Sequence, residues 1–303
     1  MYFMGYIEGM KTRYTLKQFN EDFKTDADAL DFVFKMKYPD GATCKCGKKD
    51  CFYPIKKRKC YCCSHCGYQL SPTAGTIFHK SETSLKSWLF AMFLISNSKN
   101  GVSAMELMRQ VGVTYKTAWR MNHQIRKLMR QGDEKLSGLI EADETYIGGA
   151  ARNMHKSKRA GVSTGGKDKT PVIGVMQRGG AVKAIVTKNI NNTTLVANIT
   201  DKVEKGSFVY TDEHRAYNGL HRMGYPHNTV QHMDGKFVHG HAHTNTIEGF
   251  WSQLKRSINE TFHHVSDQHL QKYVDEFVYR YNLRQSPEPV FYALSSRVAE
   301  QHA

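Results

Sequence analysis

The sequence predicts a mixed fold, of α+β or α/β type, in which an N-terminal part of helices and short cysteine-rich strands precedes a larger part of alternating strands and helices. Three observations lead to this fold class. All seven cysteines lie within residues 44–66 of the 303. Apolar residues recur at helical spacing over residues 82–131. From residue 137 onward, short apolar runs alternate with helical patterns.

The chain is strongly basic, with 43 Lys and Arg against 28 Asp and Glu, a formal net charge of +15. This charge favours a polyanionic partner, a nucleic acid or an anionic membrane surface, over a merely solvated basic surface. The longest apolar run, residues 88–95, is too short to span a bilayer. Residues 1–15 lack the pattern of a signal peptide, and no basic stretch coincides with an isolated amphipathic helix. We therefore expect a cytoplasmic protein that does not bind membranes.

The composition changes along the chain predict five segments, with the main boundary where apolar periodicity stops, near residues 131–133. The expected segments are an N-terminal helical segment over residues 1–40, a cysteine-rich ribbon over 41–80, a helical region over 81–132, a strand-containing domain over 133–285, and a C-terminal tail over 286–303.

The cysteines form two close pairs, Cys44-Lys-Cys46 and Cys63-Ser-His-Cys66, with sixteen residues between the pairs. Four thiolates in two such pairs suit a tetrahedral Zn²⁺, and four protein ligands leave no open position for catalysis. The sequence therefore predicts a zinc ribbon with one structural Zn²⁺. Two alternatives stay open: ordinary reduced cysteines or disulfides in place of a metal site, and Cys62 in place of a neighbouring ligand.

The helical region contains the pattern of a helix-turn-helix. Ser103 and Glu106 have capping-box spacing, Gly112 lies at the turn, and Thr114 is placed to begin the second helix. On that helix an apolar stripe faces inward, made of Ala118, Met121, Ile125 and Leu128. The residues left outside are candidates for DNA contact: Tyr115, Lys116, Arg120 and Lys127. The alternative is an ordinary helical bundle with a solvated basic face.

Acidic residues mark the predicted strands of the C-terminal domain. Residues 139–147 form a strand with Asp143 near its centre, and residues 207–212 form a buried strand that ends in Asp212. A hairpin over 172–186 and a helix over 193–204 lie between them. This order of strand, hairpin, helix and strand is typical of a ribonuclease-H-like mixed sheet flanked by helices.

A third acid, Glu248, lies on a predicted amphipathic helix that begins near Asn245. Two aspartates on neighbouring strands and a glutamate on a helix supply the oxygen ligands that two Mg²⁺ or Mn²⁺ ions need for phosphodiester chemistry. Lys255 and Arg256 on the same helix would lie near phosphate. The alternative is that these acids are ordinary surface or salt-bridged residues, although a buried unpaired charge is costly.

Neighbouring acids and histidines compete for these assignments. Glu141, Glu144 and Glu213 flank the favoured aspartates, and strand alternation predicts that Glu144 and Glu213 lie on the opposite face. His239, His241 and His243 alternate before the third-acid helix, and we favour DNA contact or packing there over a second metal site. With Asn245, His243 is a candidate accessory to catalysis.

Several motifs together are highly specific. They are residues 63–71 (CSHCGYQLS), 73–79 (TAGTIFH), 115–120 (YKTAWR), 141–149 (EADETYIGG), 210–212 (YTD) and 245–252 (NTIEGFWS). From about Tyr14 to Arg284 the sequence resembles the bacterial insertion-sequence DDE transposases with an N-terminal zinc ribbon, relatives of the Merlin transposons. The resemblance implies DNA cleavage and strand transfer at transposon ends, with Asp143, Asp212 and Glu248 as metal ligands and Asn245 acting with or instead of Glu248.

These patterns predict a metal-dependent DNA transposase that binds terminal inverted repeats and target DNA. Because two element ends must be joined, we expect a homodimer or larger assembly in the synaptic complex. The alternative from another class is a domesticated regulator that binds DNA through the zinc ribbon and the helix-turn-helix without catalysis. A structure-selective nuclease of similar fold would not explain the two upstream recognition modules.

Overall fold

The computed structural model describes residues 13–56, 58–148, 169–212, 217, 219–229 and 244–300. The chain divides into two compact units. One comprises Met1–Leu128 with Gln285–Ala303, and the other comprises Met129–Arg284.

The N-terminal unit contains most of the helices, and the second unit contains the larger sheet. In chain order the elements are α1 (Leu16–Asp22), α2 (Asp26–Lys37), β1 (Phe52–Pro54), β2 (Tyr61–Cys63), β3 (Gln69–Leu70), α3 (Leu85–Asn97), α4 (Ala104–Val111), α5 (Tyr115–Leu128), β4 (Leu139–Ile147), β5 (Thr170–Gln177), β6 (Val182–Val186), α6 (Asn192–Lys202), β7 (Phe208–Thr211), β8 (His227–Thr229), α7 (Asn245–Ser257), α8 (Asp267–Asn282) and α9 (Val290–Glu300). None of the helices in these ranges is long and apolar enough to cross a bilayer.

The helices of the N-terminal unit begin where the sequence supplies caps. Thr15 and Thr25 each form a capping box at the start of α1 and α2. In α3, Trp88, Leu89 and Met92 are fully buried, as the helical spacing of apolar residues predicts.

The C-terminal segment differs from the expected tail. Residues 290–300 form α9, which packs against α2, α3 and α5. Phe291, Leu294 and Val298 are buried because their spacing of three and four places them on one helix face. The ring of Phe291 stacks on that of Tyr14, with 4.7 Å between the ring centroids.

The cysteine-rich segment forms a small antiparallel sheet of three strands in the order β1-β2-β3. Phe52 pairs with Cys63, and Tyr61 pairs with Leu70. Both cysteine pairs lie outside or at the end of a strand, because a tight turn is needed for two sulfurs to point inward. The ribbon-like arrangement that the cysteine spacing predicts is therefore present.

The second unit is built on a five-stranded mixed sheet in the order β6-β5-β4-β7-β8. The first three strands are antiparallel neighbours, and β7 and β8 run parallel to β4. One face packs under α7 and α8 and the other under α6. This order and direction confirm the predicted ribonuclease-H-like sheet and the mixed fold class.

Side-chain amides occupy the outer edge of β6. The amide oxygens of Asn282, Gln131 and Gln271 accept the backbone N–H groups of residues 182, 184 and 186 at 2.7–2.9 Å. Asp275 accepts a hydrogen bond from Gln131 and another from Gln271. Burial raises the pKa of Asp275, although these donors and the charge of Arg130 oppose it.

Candidate functional site

The two faces of β4 carry different chemistry. Asp143 lies at the centre of the strand, on the face covered by α7, where the Trp251 indole N–H donates to its Oδ2 at 3.1 Å. Glu144 points to the other face and accepts a hydrogen bond from the hydroxyl of Tyr217 at 2.7 Å. The strand alternation predicted for Glu144 is therefore present.

Strand pairing brings Asp212 beside Asp143. β7 is parallel to β4, with Glu141 opposite Tyr210. Asp143 and Asp212 each follow these paired residues by two positions, so they lie at matching positions on neighbouring strands and on the same face. Asp212 comes directly after the last residue of β7 and is half-buried.

The third acid enters from α7, which crosses the sheet above β4 and β5. Ile247, Phe250, Trp251 and Leu254 are its buried stripe. Glu248 lies on the exposed side, and its Oε1 accepts the Thr244 hydroxyl at 2.9 Å. Asn245, the other candidate ligand on this helix, is exposed at its first position.

Gly174 lets α7 lie this close to the sheet. It pairs directly with Asp143 across the β4–β5 ladder. A Cβ at this position would lie 2.5 Å and 2.6 Å from two ring carbons of Trp251 and 3.2 Å from Ile247 Cδ1. A side chain here would therefore displace the indole ring that holds Asp143.

The three carboxylates share one electrostatic environment. Burial is the main cause that raises the pKa of Asp143 to about 7, and the negative charges of Glu144, Asp212 and Glu248 add to it. Oxygen donors that concentrate negative charge in this way fit a divalent cation such as Mg²⁺. Among the described residues, only one set of three or more possible metal ligands has its ligand atoms all within 4.8 Å of one another, and that set consists of four cysteines. The oxygens of the three carboxylates lie farther apart than those sulfur atoms.

Of the remaining candidate residues of the acid site, some are described by the structure and others are not. Lys255 and Arg256 are exposed in the last turn of α7, with Lys255 two turns along from Glu248. His243, with His239, His241 and Glu213, lies outside the described residues.

The predicted cysteine ligands lie together in the N-terminal unit. The sulfur atoms of Cys44, Cys46, Cys63 and Cys66 are all within 4.8 Å of one another. Burial acts to raise the pKa of the Cys63 thiol, but the N–H groups of Cys66 and His65 outweigh it and lower the pKa to about 6. Four sulfurs in two pairs, at least one with thiolate character, are compatible with a structural Zn²⁺.

The other cysteines near the cluster have different surroundings. The sulfur of Cys62 is directed to the carbonyl of Cys63 at 3.7 Å, and Cys62 does not join the four-sulfur set. Alternation along β2 explains this, because Cys62 and Cys63 project to opposite faces. Cys51 is a contact that the spacing did not indicate, since its sulfur lies 3.3 Å from that of Cys63.

The helix-turn-helix forms as predicted from its caps and its glycine. The hydroxyl of Ser103 accepts the N–H of Glu106 at the start of α4. Gly112 adopts φ 73°, a left-handed conformation that favours glycine, and Thr114 accepts the N–H of Thr117 at the start of α5. The predicted inward stripe of α5 is buried.

The outer face of α5 contains an exposed aromatic residue, Trp119, beside the predicted DNA-contact residues. Trp119 is 39% exposed and Tyr115 is 48% exposed, and with Lys116 and Arg120 they line a shallow depression of 430 Å³. Lys127 is also exposed, near the end of the helix. The helical spacing that assigned Ala118 and Met121 inward leaves Trp119 outward, so the same periodicity identifies it.

Two solved structures resemble this chain. It is similar to a chain of the simian T-cell lymphotropic virus intasome in complex with PP2A regulatory subunit B56 gamma, with 12% identity, 57% of this chain and 60% of that chain covered, and a TM-score of 0.27. It is also similar to the Mos1 strand transfer complex, with 10% identity, 71% and 78% covered, and a TM-score of 0.25.

Sequence relatives show the family. A protein of transposable element ISH50 from Halobacterium salinarum is 25% identical over 280 residues, covering 88% of this chain and 94% of the relative. A transposase-like protein of Haemophilus influenzae is 32% identical over 101 residues, covering 33% of this chain and 80% of the relative. Residues 135–282 match the model of the ISXO2-like transposase domain. The chain belongs to this family of insertion-sequence transposases.

Proposed function

We propose that this transposase binds the terminal inverted repeats of its insertion sequence and catalyses strand cleavage and strand transfer there. Asp143, Asp212 and Glu248 would hold two Mg²⁺ or Mn²⁺ ions. The observation that carries the proposal is that Asp143 and Asp212 follow paired residues of two parallel strands, under the helix that carries Glu248. Burial raises the pKa of Asp143 to about 7, and the charges of Glu144, Asp212 and Glu248 add to this shift. Membership of the family implies use of a divalent metal.

The chain's own residues have distinct parts in this chemistry. When bound, the cations would supply charge neutralisation at the attacking and leaving oxygens of a phosphodiester. The Trp251 indole N–H holds one oxygen of Asp143 and so orients the carboxylate. The Thr244 hydroxyl does the same for Glu248. Lys255 and Arg256, which are exposed, would contact phosphate oxygens.

The reaction has two steps that share this site. In the first, water attacks the phosphodiester at the element end and releases a 3′-hydroxyl. In the second, that hydroxyl attacks a phosphodiester of target DNA, which forms the new phosphodiester bond and releases a 3′-hydroxyl of the target strand. Because the two ends of one element must be joined to the same target, the working assembly contains at least two copies of the chain.

Recognition of the element end is assigned to the N-terminal unit. The outer face of α5, with Tyr115, Lys116, Arg120 and Lys127, has the charge and exposure of a recognition helix in a major groove. The four-cysteine cluster would hold one structural Zn²⁺ that stabilises the adjoining three-stranded sheet.

Carboxylate-to-amide variants test the assignment. We expect Asp143→Asn, Asp212→Asn and Glu248→Gln to abolish cleavage of a labelled terminal repeat in Mg²⁺ and in Mn²⁺, with binding of the repeat retained. Asp201→Asn, an exposed acid of the same unit that pairs with Lys202, serves as the control and should cleave normally.

Two results would overturn the proposal. Cleavage by all three site variants would exclude these acids as metal ligands. Specific binding by the wild-type protein without cleavage in either metal would favour a DNA-binding regulator. Joined products in a strand-transfer assay would exclude a nuclease.

A further inference from the structure

Glu141 is a fully buried carboxylate close to the acid site. It lies on β4 two residues before Asp143 and on the same face of the strand. Both of its oxygens accept hydrogen bonds. Oε1 accepts from Arg178 Nε at 2.8 Å and from the Thr246 hydroxyl at 3.0 Å, and Oε2 accepts from the backbone N–H groups of Thr246 and Ile247 at 3.0 Å.

These contacts attach the start of α7 to the sheet. The first N–H groups of a helix have no partner within the helix, and the positive end of the helix dipole lies there. Glu141 satisfies two of these groups with a negative charge supplied from β4. Because Glu141 and Ile247 are fully buried, a shift of α7 along the sheet would leave the carboxylate and the backbone N–H of Ile247 unpaired, which is costly.

The ion pair between Glu141 and Arg178 also contacts β7. The guanidinium of Arg178 lies over the ring of Tyr210, 4.3 Å from its centroid, while its Nε donates to Glu141. Tyr210 lies on β7, two residues before Asp212. The pair formed by Glu141 and Arg178 therefore contacts β4, β7 and α7, the three elements that carry Asp143, Asp212 and Glu248.

We propose that Glu141 is a positioning residue which, with Arg178, sets the spacing of the three acids. This inference rests on the proposed function for its consequence in catalysis, but the structural connection can be tested without it. Glu141 is not assigned as a metal ligand, because all of its hydrogen bonds described here go to groups of the protein.

Amide hydrogen exchange of the metal-free protein measures the connection directly. We expect Glu141→Gln to speed exchange at residues 244–250 by about tenfold or more, because an amide places an N–H group against the donors that a carboxylate accepts. Asp275→Asn makes the same chemical change at another buried carboxylate of this unit, bound by Gln131 and Gln271, and should leave exchange at 244–250 unchanged.

A milder variant covers the case in which Glu141→Gln does not fold. Thr246→Val removes one hydroxyl donor and leaves the charged pair intact, so a smaller increase in exchange is expected over the same residues. Unchanged exchange at 244–250 in whichever variants fold would overturn the proposed connection. An equal increase throughout the unit would also overturn it, because that pattern indicates general destabilisation.

The effect of Glu141 on catalysis is measured separately, through the Mn²⁺ requirement of cleavage. In Glu141→Gln we expect about a 10- to 100-fold rise in the half-saturating Mn²⁺ concentration for cleavage, as is typical when a residue that orients metal ligands is changed. Affinity for the terminal repeat should stay within about twofold. An unchanged Mn²⁺ requirement would overturn the positioning role. If the wild-type protein does not cleave at all, the proposed function fails, whereas the exchange result still decides whether Glu141 fixes α7.

Discussion

Replacing Gly174 with alanine should disrupt the packing that orients Asp143. The added Cβ would lie 2.5 Å and 2.6 Å from Trp251 ring carbons, whereas carbon atoms in contact prefer about 3.5–4.0 Å. The indole must therefore retreat by about 1 Å, which breaks the 3.1 Å hydrogen bond from its N–H to Asp143. The substitution is a small one, but it adds volume at a closed interface.

The magnitude follows from two contributions. Forcing an extra methyl into a filled core costs about 1–3 kcal/mol, and a lost hydrogen bond to a charged group costs about 1.5–3 kcal/mol. Because the two effects share one ring movement, we expect a decrease of about 3 kcal/mol in the free energy of unfolding. For a domain of this size that corresponds to a fall in Tm of about 6–12 °C.

Differential scanning calorimetry of the full chain measures this change, and Gly249→Ala provides the matched control. Gly249 is exposed on α7, and a Cβ there meets nothing within 4 Å. Alanine is a better helix former than glycine by about 1 kcal/mol, so the control variant should melt at or above the wild-type temperature. A Gly174→Ala protein that melts with the wild type would refute the close approach of α7 to β5. Adding Trp251→Leu to Gly174→Ala should cost less stability than the same change in the wild type.

Three further outcomes are expected. Cys46→Ser should lower bound zinc well below about one per chain and lower the Tm, whereas Cys60→Ser, outside the four-sulfur set, should leave both unchanged; equal zinc content in the two variants contradicts the ligand assignment. Trp119→Ala should weaken binding of the terminal repeat by about 2 kcal/mol, or about 30-fold. Lys116→Ala should reduce by about 1 the slope of the logarithm of the binding constant against the logarithm of the salt concentration. Binding by the wild type that does not change with salt would contradict phosphate contact. Burial raises the pKa of Asp275, so the stability that its protonated form contributes is present below the unfolded pKa of about 4 and is lost as pH rises through the folded pKa. In urea unfolding, the free energy of unfolding of Asp275→Asn should therefore increase relative to that of the wild type from pH 4 to 8. A difference between the two proteins that does not change with pH would exclude this pKa shift.

Local patterns predicted much of this structure. Strand limits around Asp143, the caps at Ser103 and Thr114, and the buried stripe of α7 all follow from periodicity or capping, which act within a few residues. The grouping of Cys44, Cys46, Cys63 and Cys66 into one cluster also follows from their spacing, because two close pairs of cysteines suit a tetrahedral metal site.

Contacts between distant segments could not be predicted in this way. Glu141 lies two residues before Asp143 and is chemically able to compete as a metal ligand, but its partners Arg178 and Thr246 are 37 and 105 residues away. Only the register of β4 with β7 and the position of α7 show what it does. The helix at residues 290–300 has helical apolar spacing, but its place in the fold depends on packing against α2, α3 and α5, which lie far away in the sequence.

The amides along β6 have a consequence for the exposed edge of the larger sheet. A sheet edge with open backbone groups can recruit a strand from another molecule. Here the outward N–H groups of residues 182, 184 and 186 are already bound by Asn282, Gln131 and Gln271. At these three positions β6 offers no free backbone N–H to an incoming strand, so a strand could add to this edge only by displacing the side-chain amides.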